Sequence, residues 1–98
     1  MAIIRSERFN ATPVLLYQTV RDIAREEIKD YYDKVVWDGD AKNGALNYMG
    51  VNGKFSITDN SELNISVTVG YPASLLINEN AAGKNIEKLY ERLRAKFP

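Results

Sequence analysis

The side chains available for chemistry in this 98-residue chain are carboxylates, lysines, arginines, tyrosines and hydroxyls, because it contains no histidine and no cysteine. Lack of histidine removes the commonest general base and the commonest transition-metal ligand. Lack of cysteine excludes disulfides, thiolate nucleophiles and zinc–thiolate sites. The densest carboxylates are Glu26, Glu27, Asp30 and Asp33. Successive helical positions point apart, and Arg25 and Lys29 are interleaved with these acids, so the cluster reads as a solvated face rather than an acid–base pair. Asp38-Gly39-Asp40 opens a stretch like a calcium loop, but the fifth, sixth and twelfth positions are Lys42, Asn43 and Met49. An EF-hand needs an oxygen ligand, Gly and Glu there. Gly50-Val51-Asn52-Gly53-Lys54 carries a Gly-x-x-Gly, yet it falls between strands, where neither a KH clamp nor a P-loop belongs. Both segments read as turns. The expectation is a protein that is not an enzyme, with no catalytic residues, no metal site and no cofactor.

Binding candidates are better represented. Tyr31, Tyr32, Trp37, Tyr48, Tyr71 and Tyr90 supply more hydroxyl-bearing aromatic surface than a dry core needs. One reading places them at the core boundary with the O–H in water. The other makes Trp37, Tyr48 and Tyr71 the lining of a pocket between a sheet and helices. Leu75-Leu76-Ile77, after Pro72, is the second candidate. Three apolar residues running together in a connector cannot all face inward by periodicity. They either cap the open end of the core or form an exposed contact for a partner, a lipid surface or a second copy of the chain.

Charge and hydropathy narrow the partners. Lys plus Arg and Asp plus Glu number 13 each, so no overall field attracts nucleic acid or an anionic membrane. No apolar run approaches the roughly 18 residues of a transmembrane segment. Met1-Ala2-Ile3-Ile4-Arg5 lacks the apolar core of a signal peptide, so a cytoplasmic location is expected. On that expectation the sequons at Asn10 and Asn64 are chance matches.

The elements that must position these residues follow from periodicity. Ile3 to Phe9 reads as a first strand whose inward parity includes Arg5 and Glu7, a mixture suited to a sheet edge. Thr12 caps and Pro13 starts a helix running to about Tyr32, with Leu16, Val20, Ile23, Ala24, Ile28 and Tyr31 on one face. Strands follow from Lys34, from Ala45 to Met49, from Lys54 to Asp59 and from Glu62 to Gly70. The dipeptides Asn43-Gly44 and Asn52-Gly53 are expected in the turns. Residues Glu62–Val69 alternate polar and apolar without a break, so Leu63, Ile65, Val67 and Val69 share one face. Pro72 ends the sheet, and Ile86, Leu89, Tyr90, Leu93 and Phe97 stripe a last helix from about Asn80 to Lys96. The reading is one α+β domain over residues 1–98, ordered β-α-β-β-β-β-α, with an antiparallel meander and both helices on one face.

Trp37-Asp38-Gly39-Asp40, Leu46-x-Tyr48, Gly50-Val51-x-Gly53-Lys54-Phe55-x-Ile57, the strand ending Val69-Gly70, and Leu75-Leu76 before a helix with Ile86, Glu87 and Leu93 make up a pattern. It resembles that of the small bacterial polyhydroxyalkanoic acid system proteins, encoded near storage-granule genes. The likeness covers Trp37 to Leu93 and departs from it in the extra turn residues 41–44 and in lacking a basic, proline-containing stretch after the last strand. It implies a non-catalytic accessory domain acting by contact with a hydrophobic granule surface, a protein partner or itself. The alternative from the residues is a reduced helix-grip module with an apolar ligand between sheet and last helix, an analogy of fold alone.

Overall fold

The computed structural model describes residues 2–71 and 79–98, with side chains for 2–71 and 83–98. The elements are β1 (Ala2–Arg8), α1 (Pro13–Glu27), α2 (Lys29–Tyr32), β2 (Val35–Asp38), β3 (Asn43–Tyr48), β4 (Val51–Ile57), β5 (Glu62–Val69) and α3 (Glu79–Lys96). Strands β2 to β5 form the expected meander, and β1 adds beside β5, giving the order β1-β5-β4-β3-β2 with every pair antiparallel. Helices cover one face only. Leu63, Ile65 and Val69 are buried while Asn64 and Ser66 are half-exposed and Thr68 is exposed, so alternation along β5 separates a covered face from a wetted one.

The core forms where α1 and α3 meet over β5 and β4. Leu16, Val20 and Ile23 from α1 pack with Ile57, Leu63 and Ile65 from the sheet and with Ile86, Tyr90 and Leu93 from α3. Thr12 caps α1 by accepting the Leu15 N–H at 3.2 Å, and Pro13 occupies the first turn. Edge strand β1 turns Arg5 and Glu7 toward α3, where they pair with Glu87 and Arg94 respectively; the Glu7–Arg94 pair is bidentate at 2.8 and 2.9 Å. The inward charges expected on an edge strand thus find partners on the helix above.

Two expectations are corrected. The first helix does not run unbroken to Tyr32. It stops at Glu27, and Ile28, with φ −127° and ψ 41°, separates it from the single turn of α2. Adjacent residues of a continuous helix point about 100° apart. The break re-aims the turn of α2 as a unit relative to α1, and from it Tyr31 packs against Tyr48 and Tyr32 against Trp37, with ring centroids 6.3 and 5.2 Å apart. Neither Asn-Gly dipeptide forms a turn. Asn43-Gly44 opens β3 and Asn52-Gly53 lies inside β4, so both strands start earlier than the dipeptides suggest. The turns fall on residues 39–42, where Asp38 accepts the N–H groups of Asp40 and Ala41, and on Met49-Gly50, with φ 48° and 90°. Positive φ at both central residues is the type I′ signature that Asn-Gly usually supplies. The Met49-Gly50 tip docks on the end of β5: Gly70 N–H donates to Gly50 O at 2.8 Å, and a Cβ on Gly50 would lie 2.6 Å from the Gly70 and Tyr71 carbonyl oxygens. That approach fixes glycine at position 50.

Candidate functional site

Two glycines shape the covered face of the sheet. Gly44 on β3 lies opposite Phe55 on β4, and Gly53 on β4 lies opposite Leu46 on β3. They differ in what they accommodate. A Cβ on Gly44 would lie 2.4 Å from the Phe55 ring, so glycine there makes room for the phenyl group. The nearest atoms to a Cβ on Gly53 would be Val67 Cγ2 at 3.5 Å and Leu46 Cβ and Ser66 O at 3.9 Å, ordinary contacts, so the absent side chain leaves a hollow in the sheet floor. The core is correspondingly divided. The main cluster lies on one side, and a smaller one of Val51 and Val69, with Leu46 and Val67 against it, lies on the other.

Between them is an apolar cleft of about 180 Å³. Gly53, Leu46 and Val67 form its floor, Val20 and Ala24 of α1 and Ile28 and Tyr31 beyond it form one wall, and Ile86 and Leu89 of α3 form another. A dry engineered cavity of ~150 Å³ binds a single benzene ring, so this volume suits one ring with a small substituent or a short acyl chain. The polar residues of the lining are Glu27, Asn85 and Lys54, the last on the outward parity of β4, with Glu27 and Asn85 at the helix side. The Glu27 carboxylate is held by Arg92 at 2.8 Å and Lys88 at 3.7 Å, and Glu26 also reaches Arg92, at 3.3 Å. These four groups sum to zero formal charge, so the polar corner favours neither an anion nor a cation.

Trp37 lies in the cleft wall. Its ring lies between aromatic neighbours, 5.5 Å from Phe55 and 6.4 Å from Tyr17, with the Arg21 guanidinium carbon 5.2 Å from its centroid. Arg21 Nε also donates to the Tyr32 hydroxyl at 3.0 Å and Arg25 donates to it at 3.3 Å, and these bonds hold the Tyr32 phenol below its ordinary pKa. Tyr48 and Tyr71 are not part of the wall. Tyr48 packs with Tyr31 and beneath Lys34, whose Nζ lies 5.0 Å from the ring centroid, and Tyr71 is 79% exposed beyond β5. Leu75, Leu76 and Ile77 lie outside the described residues.

Lining residues not anticipated from sequence include Gly53, Leu46, Val51, Val69, Ile86 and Leu89, ordinary inward-facing positions. The signal that could have found them was parity: Gly53 lies two residues before Phe55 and four before Ile57, and reading it as a turn concealed its place on the inward face. Among the described residues no three acidic side chains group as a metal site, and no helix is long and apolar enough to cross a membrane. Comparisons of the chain with protein-family models, curated proteins and solved structures find no match.

Proposed function

We propose that this domain is a non-catalytic binding module that takes a small, uncharged, apolar ligand between its sheet and its helices. The observation that carries the reading is the cleft over Gly53, whose lining is almost wholly aliphatic and aromatic and whose polar corner is internally neutralised. Apolar pockets with few polar groups are the usual small-molecule sites. Trp37, the only tryptophan, is a reporter already in the wall. Titration with uncharged alkyl alcohols and substituted benzenes should shift its fluorescence saturably. Gly53→Val, whose methyl groups would enter the hollow, should abolish that response in a folded protein. Absence of a saturable shift in the wild-type protein across the series would end this reading.

A second reading, contact with a hydrophobic surface of the kind the polyhydroxyalkanoic acid system resemblance implies, draws support from one end of the sheet. Met49 and Tyr71 are exposed there and are brought together by the contact of Gly50 with Gly70, with Tyr48 beside them. Wild-type chain should then sediment with polyester granules, and Met49→Ser with Tyr71→Ser should not. Equal sedimentation of the two proteins would exclude this surface.

A further inference from the structure

The two edges of the sheet are built differently, and the difference points to a partner. Among the described residues no strand pairs with the outer edge of β1 or of β2. An unpaired edge is a template for another strand, and proteins guard it with charge. Strand β1 is guarded: Arg5 and Glu7 face inward and are tied to α3, and Arg8 follows. Strand β2 has no inward charge. Its inward residues are Val35 and Trp37, and its outward Val36 is 73% exposed beside exposed Ala45 of β3. Its charges flank it with opposite signs, Lys34 in the turn one residue before the strand and Asp38 at its end, two residues either side of Val36.

We infer that β2 is the surface through which two copies of this chain associate, strand against strand and antiparallel, about a two-fold axis at Val36. The register follows from the sequence Lys34-Val35-Val36-Trp37-Asp38. An axis through a residue and perpendicular to the sheet keeps inward residues opposite inward ones. Placed at Val36, it sets Lys34 of one copy opposite Asp38 of the other at both ends, Val35 opposite Trp37, and Val36 opposite Val36. Placed at Val35 it sets Lys34 opposite Val36, and placed at Trp37 it sets Asp38 opposite Val36. One register therefore pairs both charges and joins the apolar residues, and opposite charges across strands are favourable where like charges are not. Two five-stranded sheets become one of ten strands, helices on the same side. Lys34 reaches its partner by leaving the Tyr48 ring, and Asp38 retains a carboxylate oxygen beyond the one its own turn uses.

A four-residue strand gives a small interface, so the dimer is weak, in the class of transient contacts. Sedimentation equilibrium from about 10 μM to 1 mM reads it directly. Lys34→Asp and Asp38→Lys should each raise the dissociation constant roughly tenfold, because each replaces two opposite-charge pairs by two like-charge pairs. An equimolar mixture of the two variants should recover dimer, since one then carries acid at both ends of β2 and the other base at both ends, and only the mixed pair sets opposite charges together. Val36→Lys should abolish association, while Ile4→Lys, at an equally exposed apolar position on the other edge, should leave it unchanged. Thermal unfolding of each variant separates loss of pairing from loss of fold. A wild-type chain that stays monomeric at 1 mM overturns the inference, as does a mixture that fails to recover dimer or an Ile4→Lys effect equal to that of Val36→Lys.

Discussion

Tyr90 shows how one polar atom can order the core of a small domain. Its side chain is buried, it stacks on Phe9 with centroids 5.9 Å apart, and its hydroxyl donates to the Leu63 carbonyl at 2.8 Å with Arg5 O at 3.2 Å. Burial raises the phenol's pKa well above the ordinary 10.0, because ionisation would leave a charge without water. The unfolded chain therefore loses the Tyr90 proton at lower pH than the folded one. The stability contributed is complete below pH 10 and declines above it, by up to ~1.4 kcal/mol per pH unit. Tyr90→Phe should cost about 1 kcal/mol at neutral pH through the lost hydrogen bond. Urea unfolding should show that this difference narrows and then reverses above about pH 10, the other ionisations being common to both proteins. A gap constant across that range would mean that the hydroxyl is solvated. Ser61, the residue before β5, plays a comparable part. It is buried, it adopts φ 60° to close the β4–β5 hairpin, and its hydroxyl donates to the Ala11 carbonyl, joining that hairpin to the start of α1.

Among the elements, β5 organises the rest. It lies between β1 and β4, and its inward residues reach both core clusters. Leu63→Ala should destabilise by about 3 kcal/mol, since a fully buried leucine leaves a cavity that the strands cannot close. Ser66→Ala, on the opposite face of the same strand, should change stability by less than roughly 0.5 kcal/mol. Similar denaturation midpoints for the two variants would contradict the one-sided cover. Helix α3 is held above β5 by Ile86, Tyr90 and Leu93 and tied laterally by Arg5–Glu87 and Glu7–Arg94 on one side and Arg92 with Glu26 and Glu27 on the other. Because these pairs are only half-buried and stay within reach of water, their main role is to fix the helix's direction across the sheet rather than to hold it down.

At the scale of the molecule, one sheet with helices on a single face leaves two surfaces to account for. Among the described residues the covered face is not filled at its centre: the hollow over Gly53 separates the cluster of Val51 and Val69 from the main core. Empty apolar volume lowers stability, so Gly53→Val should raise it by ~1–2 kcal/mol while deleting the ligand response. That opposition between stability and binding would be read as a higher melting temperature with an unresponsive Trp37, and a destabilised variant would place the hollow elsewhere. The uncovered face is polar across β5 and β4, with Asn64, Ser66, Ser56 and Lys54, and turns apolar toward the β2 edge at Ala45 and Val36.

The strand and helix sequence, the one-sided cover and the edge character of β1 were legible in the chain because each rests on local periodicity, a property of residues two to four apart. Periodicity misplaced the turns, because Met49-Gly50 adopts the conformation that Asn-Gly prefers. Pairing of Tyr48 with Val51 and docking of the tip on Gly70 outweigh the cost of a methionine at positive φ. It also missed the break at Ile28, which serves contacts between Tyr31, Tyr32 and strands that come later in the chain. The cleft belongs wholly to tertiary structure. The cleft arises from the register that sets Gly53 opposite Leu46 and from helices whose described side chains span the gap without filling it, and neither is a property of any single stretch of sequence.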